Sequence, residues 1–284
     1  MRVIIREILF NELEKYLEFS WRLSRLPSTN SYPLFSTFVE MKTKFERANE
    51  NEADKLYAVL LDGSLCGVVC LEVIPENHYI QTVGIYVSNN FNIVMSEIFH
   101  KLRNEYTGYE IYLGYPKENT LAFNYCMNEN FSLIESSIDF RLHSSEFSGF
   151  NESLNINRIT EDNFDRYAEY HEKQFQGIYW TSERLKQKLA QWRIYTHQTG
   201  NLIDGCIFLN VWENNCEIFG LSDTSNGKIL TYLLLSQALN EVIKNEKIKN
   251  VIFFIEDNDN IQINAAKAVG FTYHSSYCCF KEKL

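Results

Sequence analysis

The sequence lacks a long apolar run, a secretion signal and any excess of positive charge. No stretch of its 284 residues approaches the roughly 18 consecutive apolar residues of a membrane-spanning helix. Residues 1–19 alternate charged and apolar side chains, whereas a signal peptide needs a continuous apolar segment. The 27 lysines and arginines are outnumbered by 37 acidic residues, which gives a net charge of −10. We therefore expect a soluble protein with neither a membrane nor a nucleic acid as partner.

Cysteine and histidine are present, but not in a metal-binding pattern. The seven cysteines form no paired CxxC motif, and no two of the six histidines lie four residues apart on a predicted helix. An odd number of cysteines, most of them in apolar stretches, is typical of reduced thiols that pack as small hydrophobic side chains. These absences predict a cytoplasmic protein that binds no metal.

The two halves of the sequence contain a set of matching residues in the same order. The matched pairs are Asp62-Gly63 with Gly200-Asn201, Gly67 with Gly205, Gly84 with Gly220, Ile93 with Ile229, and Phe131 with Phe271. The offset runs from 136 residues, between Gly84 and Gly220, to 140 residues, between Phe131 and Phe271. Identity between the halves is low, but a repeat of this length indicates a duplicated domain.

The repeat predicts an N-terminal domain at residues 1–145 and a C-terminal domain at residues 152–284. Between them, residues 143–151 are rich in serine, glycine and asparagine, as linkers are. In each half a strand and two helices precede a set of strands, an amphipathic helix, another strand, a short helix and closing strands. This order predicts the α/β class, with an α+β mixed sheet flanked by helices that is formed twice.

The same order of elements resembles the GNAT superfamily of N-acetyltransferases, once in each half and over nearly the whole chain. The most specific part is a late family motif that consists of an asparagine, an alanine three residues on, and a Gly-Phe pair further along. Asn119, Ala122 and Phe131 stand at these spacings in the first half, and Asn130 replaces the glycine. Asparagine is one of the few residues that tolerate the left-handed conformation of a helix cap.

The second half keeps the pair Gly270-Phe271, and Asp259 occupies the asparagine position with Asn260 beside it. The resemblance implies two GNAT-like domains in tandem. It also implies acetyl-CoA as co-substrate and a primary amine of a small molecule or peptide as acceptor.

The resemblance further implies a turn that holds the pyrophosphate of CoA between the long strand and the amphipathic helix. The N–H groups of a helix N-terminus attract anions, and glycine permits close approach. Residues 224–229 include Gly227 and Lys228, whereas residues 88–92 include no glycine, so the C-terminal turn is favoured. The implied cofactor contacts are Leu221, Ser222, Asp223, Ser225, Asn226, Gly227, Lys228, Ile229 and Asn260. An ordinary helix-capping loop is the alternative interpretation of this turn, and an alternative N-terminal site would use Asn119 and Cys126.

Two carboxylates are candidates for the catalytic base. Glu217 and Asp223 lie on the long strand of the second half and share a face if that strand is regular. A carboxylate whose pKa is raised by burial could take a proton from an amine through water. For Asp223 the favoured interpretation is a solvated acid at a strand end. The resemblance implies a tyrosine as acid toward the CoA thiolate, but Cys126 and Ala266 stand at that position. We expect Cys126 to be a packing residue.

The acceptor is expected near Tyr179 and Trp180, which lie between the first two helices of the second half. Their rings could wall a substrate pocket or stack on a cation, or they could form a hydrophobic plug. The predicted function is transfer of an acyl group, expected to be acetyl, from CoA to an amine. The missing glycines and tyrosines leave open a non-catalytic GNAT-fold module that binds acyl-CoA or mediates assembly. A Fem-like peptidyltransferase is a third possibility, against which the acidic composition argues.

Overall fold

The computed structural model describes residues 1–149, 154–225 and 228–284. The described chain divides into two compact units. The N-terminal unit consists of Met1–Ser136 and Ser276–Leu284, and the C-terminal unit consists of Ser137–Ser275.

Each unit contains strands and four α-helices among the described residues. In the N-terminal unit lie β1 (Val3–Glu7), α1 (Leu13–Ser24), α2 (Phe38–Glu50), β2 (Lys55–Leu61), β3 (Ser64–Ile74), β4 (Tyr79–Val87), α3 (Phe91–Glu105), β5 (Glu110–Tyr115) and α4 (Thr120–Asn128). In the C-terminal unit lie β7 (Asn157–Arg158), α5 (Phe164–Gln174), α6 (Ser182–Gln187), β8 (Trp192–Thr199), β9 (Leu202–Trp212), β10 (Asn215–Asp223), α7 (Lys228–Glu246), β11 (Asn250–Glu256) and α8 (Asn260–Ala268). The closing strands β6 (Ser132–His143) and β12 (Thr272–Lys283) have residues in both units.

The two units have the same strand order. It is β1-β2-β3-β4-β5-β12 in the N-terminal unit and β7-β8-β9-β10-β11-β6 in the C-terminal unit. The pairs β4–β5 and β10–β11 are parallel, and the other pairs with a described register are antiparallel. The predicted mixed sheet flanked by helices is therefore confirmed for both halves.

The closing strand of each unit comes from the other half of the sequence. In the N-terminal unit β12 pairs with β5, from Cys278 opposite Tyr115 to Lys283 opposite Glu110. In the C-terminal unit β6 pairs with β11, from Ser137 opposite Glu256 to His143 opposite Asn250. The domain bounds 1–145 and 152–284 thus stay a proposal about the repeat in the sequence, because the compact units have different bounds.

Each sheet has a buried apolar cluster on both faces. In the N-terminal unit α3 and α4 cover one face, with Val94 and Phe99 in its core, and α1 and α2 cover the other. In the C-terminal unit α7 and α8 cover one face, and α5 and α6 cover the other. Apolar burial on both faces is what fixes each central strand between two helical layers.

Local capping explains where one predicted helix begins. The sequence pattern predicts a helix over residues 34–49, but α2 begins at Phe38. The Thr37 side chain accepts a hydrogen bond from the Glu40 backbone N–H, and the Glu40 side chain accepts one from the Thr37 N–H. This capping box satisfies N–H groups that would otherwise lack partners, so it fixes the start of the helix.

Candidate functional site

In both units the two central parallel strands are hydrogen-bonded over only part of their length and then separate. β4 pairs with β5 from Tyr79 opposite Glu110 to Gln81 opposite Tyr112, and not further among the described residues. β10 pairs with β11 from Asn215 opposite Asn250 to Ile218 opposite Phe253, again not further among the described residues. We call the spaces beyond these pairs the N-terminal gap and the C-terminal gap.

A β-bulge accompanies each gap. The register of β4 with β3 shifts at Val83, and the register of β10 with β9 shifts at Phe219. The next residue is glycine in both strands, and a side chain there would overlap an aromatic ring, that of Tyr86 at Gly84 and that of Phe208 at Gly220. A bulge bends its strand, which is how each long strand turns away from its parallel neighbour.

The chain itself fills the N-terminal gap. The buried Ser31 hydroxyl accepts a hydrogen bond from the Ile85 N–H of β4 and donates one to the Gly114 carbonyl of β5, both at 3.3 Å. The next residue, Tyr32, donates its N–H to the same carbonyl at 2.9 Å. The segment between α1 and α2 therefore bonds to one backbone group of each strand that borders this gap.

Asn119 holds that segment in place. Its amide nitrogen donates to the Asn30 carbonyl at 2.8 Å, and its amide oxygen caps α4 by accepting from the Ala122 N–H at 3.1 Å. The asparagine of the late motif and the alanine three residues on are thus joined by a cap hydrogen bond. The Asn119 side chain is buried, and its donor and acceptor are both engaged within the protein.

At the C-terminal gap, a side chain bonds to the backbone of the long strand. The Gln262 amide, on α8, donates to the Leu221 carbonyl of β10 at 3.2 Å. On the other face of β10, the Ser222 hydroxyl lies 3.0 Å from the Tyr170 hydroxyl of α5. In the described part of the C-terminal unit, no backbone hydrogen bond from the segment between α5 and α6 reaches this gap.

The C-terminal turn is organised by Asp223. Its carboxylate accepts from the Ser225 N–H at 2.8 Å and hydroxyl at 2.5 Å, and from the Thr231 hydroxyl of α7 at 3.2 Å. Two expected turn residues, Asn226 and Gly227, lie outside the described residues. The Asp223 carboxylate of β10 thus lies against the first turn of α7, in which Lys228 and Ile229 are exposed.

The N-terminal turn carries no such acid. α3 begins at Phe91 after Asn90, whose φ is 49° and whose side chain makes no cap hydrogen bond. A cavity of about 450 Å³ opens there. Its lining consists of residues 87–93, Thr29 and Leu121, none of them acidic. The N-terminal unit therefore combines a cavity at the start of α3 with a gap that the chain fills.

The two candidate bases lie on opposite faces of β10. Glu217 is opposite Asn210, which is opposite Trp192, so Glu217 and Trp192 share the face covered by α5 and α6. Asp223 instead contacts Thr231 of α7. The extra residue at the Phe219 bulge reverses the alternation, which a regular strand would have kept.

Cys126 is a buried thiol and not an exposed nucleophile. Burial raises the pKa of Cys126 to about 12, so the thiolate is scarcely populated at neutral pH. Tyr125 beside it packs against the rings of Phe91, Phe99 and Phe131. At the matching position of the C-terminal unit Ala266 is buried, so neither side chain extends into its gap as an acid.

Tyr179 and Trp180 belong to an aromatic group between α5 and α6. The Trp180 ring lies 4.9 Å from that of Trp192 and 6.2 Å from that of Phe219, edge to face. The buried His171 imidazole donates through Nε2 to the Trp180 carbonyl at 2.8 Å, and its Nδ1 accepts from the Tyr167 hydroxyl at 2.7 Å. These hydrogen bonds fix the segment that carries the two expected acceptor residues.

Asn260 contributes little beyond the start of α8. It is exposed, and its amide lies 3.5 Å from the Asn258 carbonyl. Asp259 supplies the cap, accepting from the Ile261 and Gln262 N–H groups. Sequence reasoning missed Gln262 and Ser31, because their partners are distant in sequence. It also missed Thr231, because no local pattern marks its hydrogen bond to Asp223.

Three further features concern the whole described chain. All seven cysteines are buried free thiols. In the described ranges, no three histidine, cysteine or acidic side chains are grouped so as to hold a metal ion. Nor is any described helix both long and apolar enough to cross a membrane.

Comparison with solved structures identifies the fold. A GCN5-related N-acetyltransferase from Sphaerobacter thermophilus matches with a TM-score of 0.69 at 11% identity, over 99% of this chain and 95% of its own. A tandem GNAT protein from the clavulanic acid biosynthesis pathway matches with a TM-score of 0.58 at 11% identity, over 99% and 98%. A GNAT-family acetyltransferase from Colwellia psychrerythraea matches with a TM-score of 0.53 at 11% identity, over all of both chains. No protein-family model and no curated protein sequence matches this chain. The chain thus has the tandem GNAT fold that the sequence predicts.

Proposed function

We propose that this protein is an acyl-CoA-dependent N-acyltransferase that moves an acetyl group from acetyl-CoA to a primary amine of a small molecule or peptide. The C-terminal unit holds the acyl-CoA, and the N-terminal unit is a degenerate copy. Acetyl-CoA is a co-substrate, and the reaction uses no metal. The seven buried free thiols are consistent with a reducing, cytoplasmic location.

The observation that carries this proposal is the difference between the two gaps. In the N-terminal gap the backbone groups of Ile85 and Gly114 already bond to Ser31 and Tyr32. In the C-terminal gap the Leu221 carbonyl accepts from the flexible side-chain amide of Gln262. A pantetheine arm carries amides of the same chemistry, so it can replace Gln262 there without moving any backbone. Leu221, Ser222 and Asp223 are the β10 residues that it would meet.

The turn before α7 has features for and against a diphosphate. Lys228 and the first N–H groups of α7 favour an anion, and Ser225 and Ile229 flank the same turn. The Asp223 carboxylate disfavours one, but two unit charges about 4 Å apart in water interact by only about 1 kcal/mol. Three hydrogen bonds also draw Asp223 toward Ser225 and Thr231. The assignment of acetyl-CoA to the C-terminal unit therefore depends more on the gap, where the thioester would lie, than on the turn.

The chemistry needs a base more than it needs an acid. The amine nitrogen attacks the thioester carbonyl carbon, the C–N bond forms and the C–S bond breaks. Sulfur takes the electron pair and, through water, the second proton that the attacking nitrogen gives up, so a side-chain acid at the Cys126 or Ala266 position is dispensable. Glu217 lies on the α5–α6 face beside the bulge, and it accepts the ammonium proton through water. Asp223, on the other face, orders the turn.

Calorimetric titration with acetyl-CoA tests the choice of unit. Lys228 and Asn92 are exposed residues at the N-termini of α7 and α3, at an offset of 136 in the sequence. We expect Lys228→Glu to weaken acetyl-CoA binding at least tenfold, or about 1.4 kcal/mol. Asn92→Glu, the matched control, should change the affinity by less than twofold. A larger effect of Asn92→Glu would move the site to the N-terminal unit, where the alternative residues Asn119 and Cys126 lie.

A second experiment separates an enzyme from a binding module. The wild type is mixed with acetyl-CoA and a panel of primary amines, and released CoASH is measured with a thiol reagent. Acyl transfer predicts release that depends on both the amine and Glu217. The buried Ala266 at the expected acid position favours the alternative, a non-catalytic module, which predicts acetyl-CoA binding without release. A Fem-like peptidyltransferase would instead bind aminoacyl-tRNA at low salt.

A further inference from the structure

The aromatic group of the C-terminal unit lies at the point where the strands part. Phe219 is the bulged residue of β10 and remains 39% exposed, although it belongs to a central strand. Its ring lies 5.2 Å from that of Trp192 and 6.2 Å from that of Trp180. The Tyr179 ring lies 5.2 Å from that of Trp180. An apolar wall therefore borders the C-terminal gap on the α5–α6 face.

Two cations lie on this wall without an acidic partner. The Arg184 guanidinium lies 4.1 Å from the centre of the Tyr179 ring and donates to the Tyr179 carbonyl. The Lys188 ammonium lies 5.6 Å from the centre of the Trp180 ring. Neither makes an ion pair with a carboxylate in the described part of the chain. In contrast, Lys186 on the same helix pairs with Asp165 at 2.8 Å.

One buried donor of the wall also has no partner. The Trp192 side chain is 2% exposed, and its indole N–H makes no hydrogen bond with any described residue. A buried N–H group left in this state costs about 1–3 kcal/mol. A hydrogen-bond acceptor that came within reach of this group would offset that cost.

Glu217 completes the distribution of charge. It lies on the same face as Trp192, two residues before Phe219. A carboxylate near the bulge and two cations on the outer rings would orient a molecule that carries both an ammonium group and an anionic group, one toward each. The rings would contact its apolar side chain.

We propose that the acceptor is a primary amine that carries a carboxylate on an apolar body, the chemical class of the hydrophobic α-amino acids. Arg184 and Lys188 attract the carboxylate, Phe219 and Trp180 contact the side chain, and the amino group faces Glu217. The inference rests on the proposed function, because it names the acceptor of that reaction.

The test compares acceptors that differ in one group. L-phenylalanine, phenethylamine and spermidine are each mixed with acetyl-CoA, and released CoASH is measured. Removing the carboxylate should lower kcat/KM at least tenfold from L-phenylalanine to phenethylamine, and spermidine should be poorer still. Equal or faster turnover of either carboxylate-free amine overturns the inference while the proposed function stands.

Charge-removing variants locate the effect. Arg184→Gln combined with Lys188→Gln should lower kcat/KM for L-phenylalanine about tenfold and leave phenethylamine unchanged. Lys186→Gln is the matched control on the same helix and should change neither. Affinity for acetyl-CoA should stay within twofold in all variants. An equal effect of the double variant on both amines would contradict carboxylate recognition. If acetyl-CoA does not bind, or no amine releases CoASH, the proposed function fails and the inference fails with it.

Discussion

The N-terminal and C-terminal gaps have the same construction, but different groups of the protein contact their strands. Both units have one strand order, a bulge before a glycine, and parallel strands whose pairing ends just before the bulge. In one unit the chain bonds to its own separated strands through Ser31 and Tyr32, and in the other through the side chain of Gln262. An open turn at a helix N-terminus and a gap filled by the chain itself therefore occur in the same unit. We expect acetyl-CoA in the other unit, where the side chain of Gln262 would have to move.

Substitutions in the closing strands should have the largest effect on stability. They test whether each unit contains a strand from the other half of the sequence. Phe140 and Phe280 are buried at matched positions of the repeat, Phe140 in the C-terminal core and Phe280 in the N-terminal core. Truncation to alanine should lower the free energy of unfolding by about 3–5 kcal/mol at either site.

Amide hydrogen exchange distinguishes the two truncations. Phe280→Ala should speed exchange mainly in α3 and β5, although residue 280 belongs to the second half of the sequence. Phe140→Ala should speed exchange mainly in α7 and β11. If each variant loosened its own half of the sequence, the assignment of the closing strands would be wrong.

The contacts across the gaps give an intermediate effect. Ser31→Ala leaves the buried Ile85 N–H without its acceptor, so the free energy of unfolding should fall by about 1–3 kcal/mol. Gln262→Ala removes a part-buried hydrogen bond at 3.2 Å from a side chain, and it should cost less, about 0.5–1.5 kcal/mol. Urea unfolding measures both changes. Calorimetry should still find one acetyl-CoA per chain for Ser31→Ala, and a second site would indicate that the N-terminal gap is closed by Ser31 alone.

The smallest expected effect concerns pH and the C-terminal unit. Burial holds the pKa of His171 below its ordinary value, while Glu172 beside it and the Trp180 carbonyl act in the opposite direction. The unfolded chain therefore binds a proton below about pH 6.5 that the folded chain does not. Stability should be fully present above that pH and should decrease as the pH falls from about 6.5 toward the lowered pKa.

The slope from one histidine is at most about 1.4 kcal/mol per pH unit. Urea unfolding at pH 7.0 and pH 5.5 should show a smaller loss for His171→Gln than for the wild type. His100→Gln, which replaces an exposed histidine, serves as control. Equal losses in all three proteins would mean that His171 is protonated equally in the folded and unfolded chain.

The sequence predicted the repeated order of elements well, because helical periodicity and turn residues are local signals. The prediction that Glu217 and Asp223 share a face was wrong, because it assumed a regular strand. One extra residue at Phe219 places them on opposite faces, and Gly220 was the available hint of a bulge. The bonds of Ser31 to Ile85 and Gly114 join distant residues, so no spacing could reveal them.

The acetyl-CoA footprint in amide hydrogen exchange tests the central claim most directly, that the C-terminal gap is the working site. Wild-type protein is compared with and without saturating acetyl-CoA. The account predicts slower exchange at residues 219–225 and 228–231, and no change at residues 85–93. Slower exchange at residues 85–93, with residues 219–231 unaffected, would contradict it.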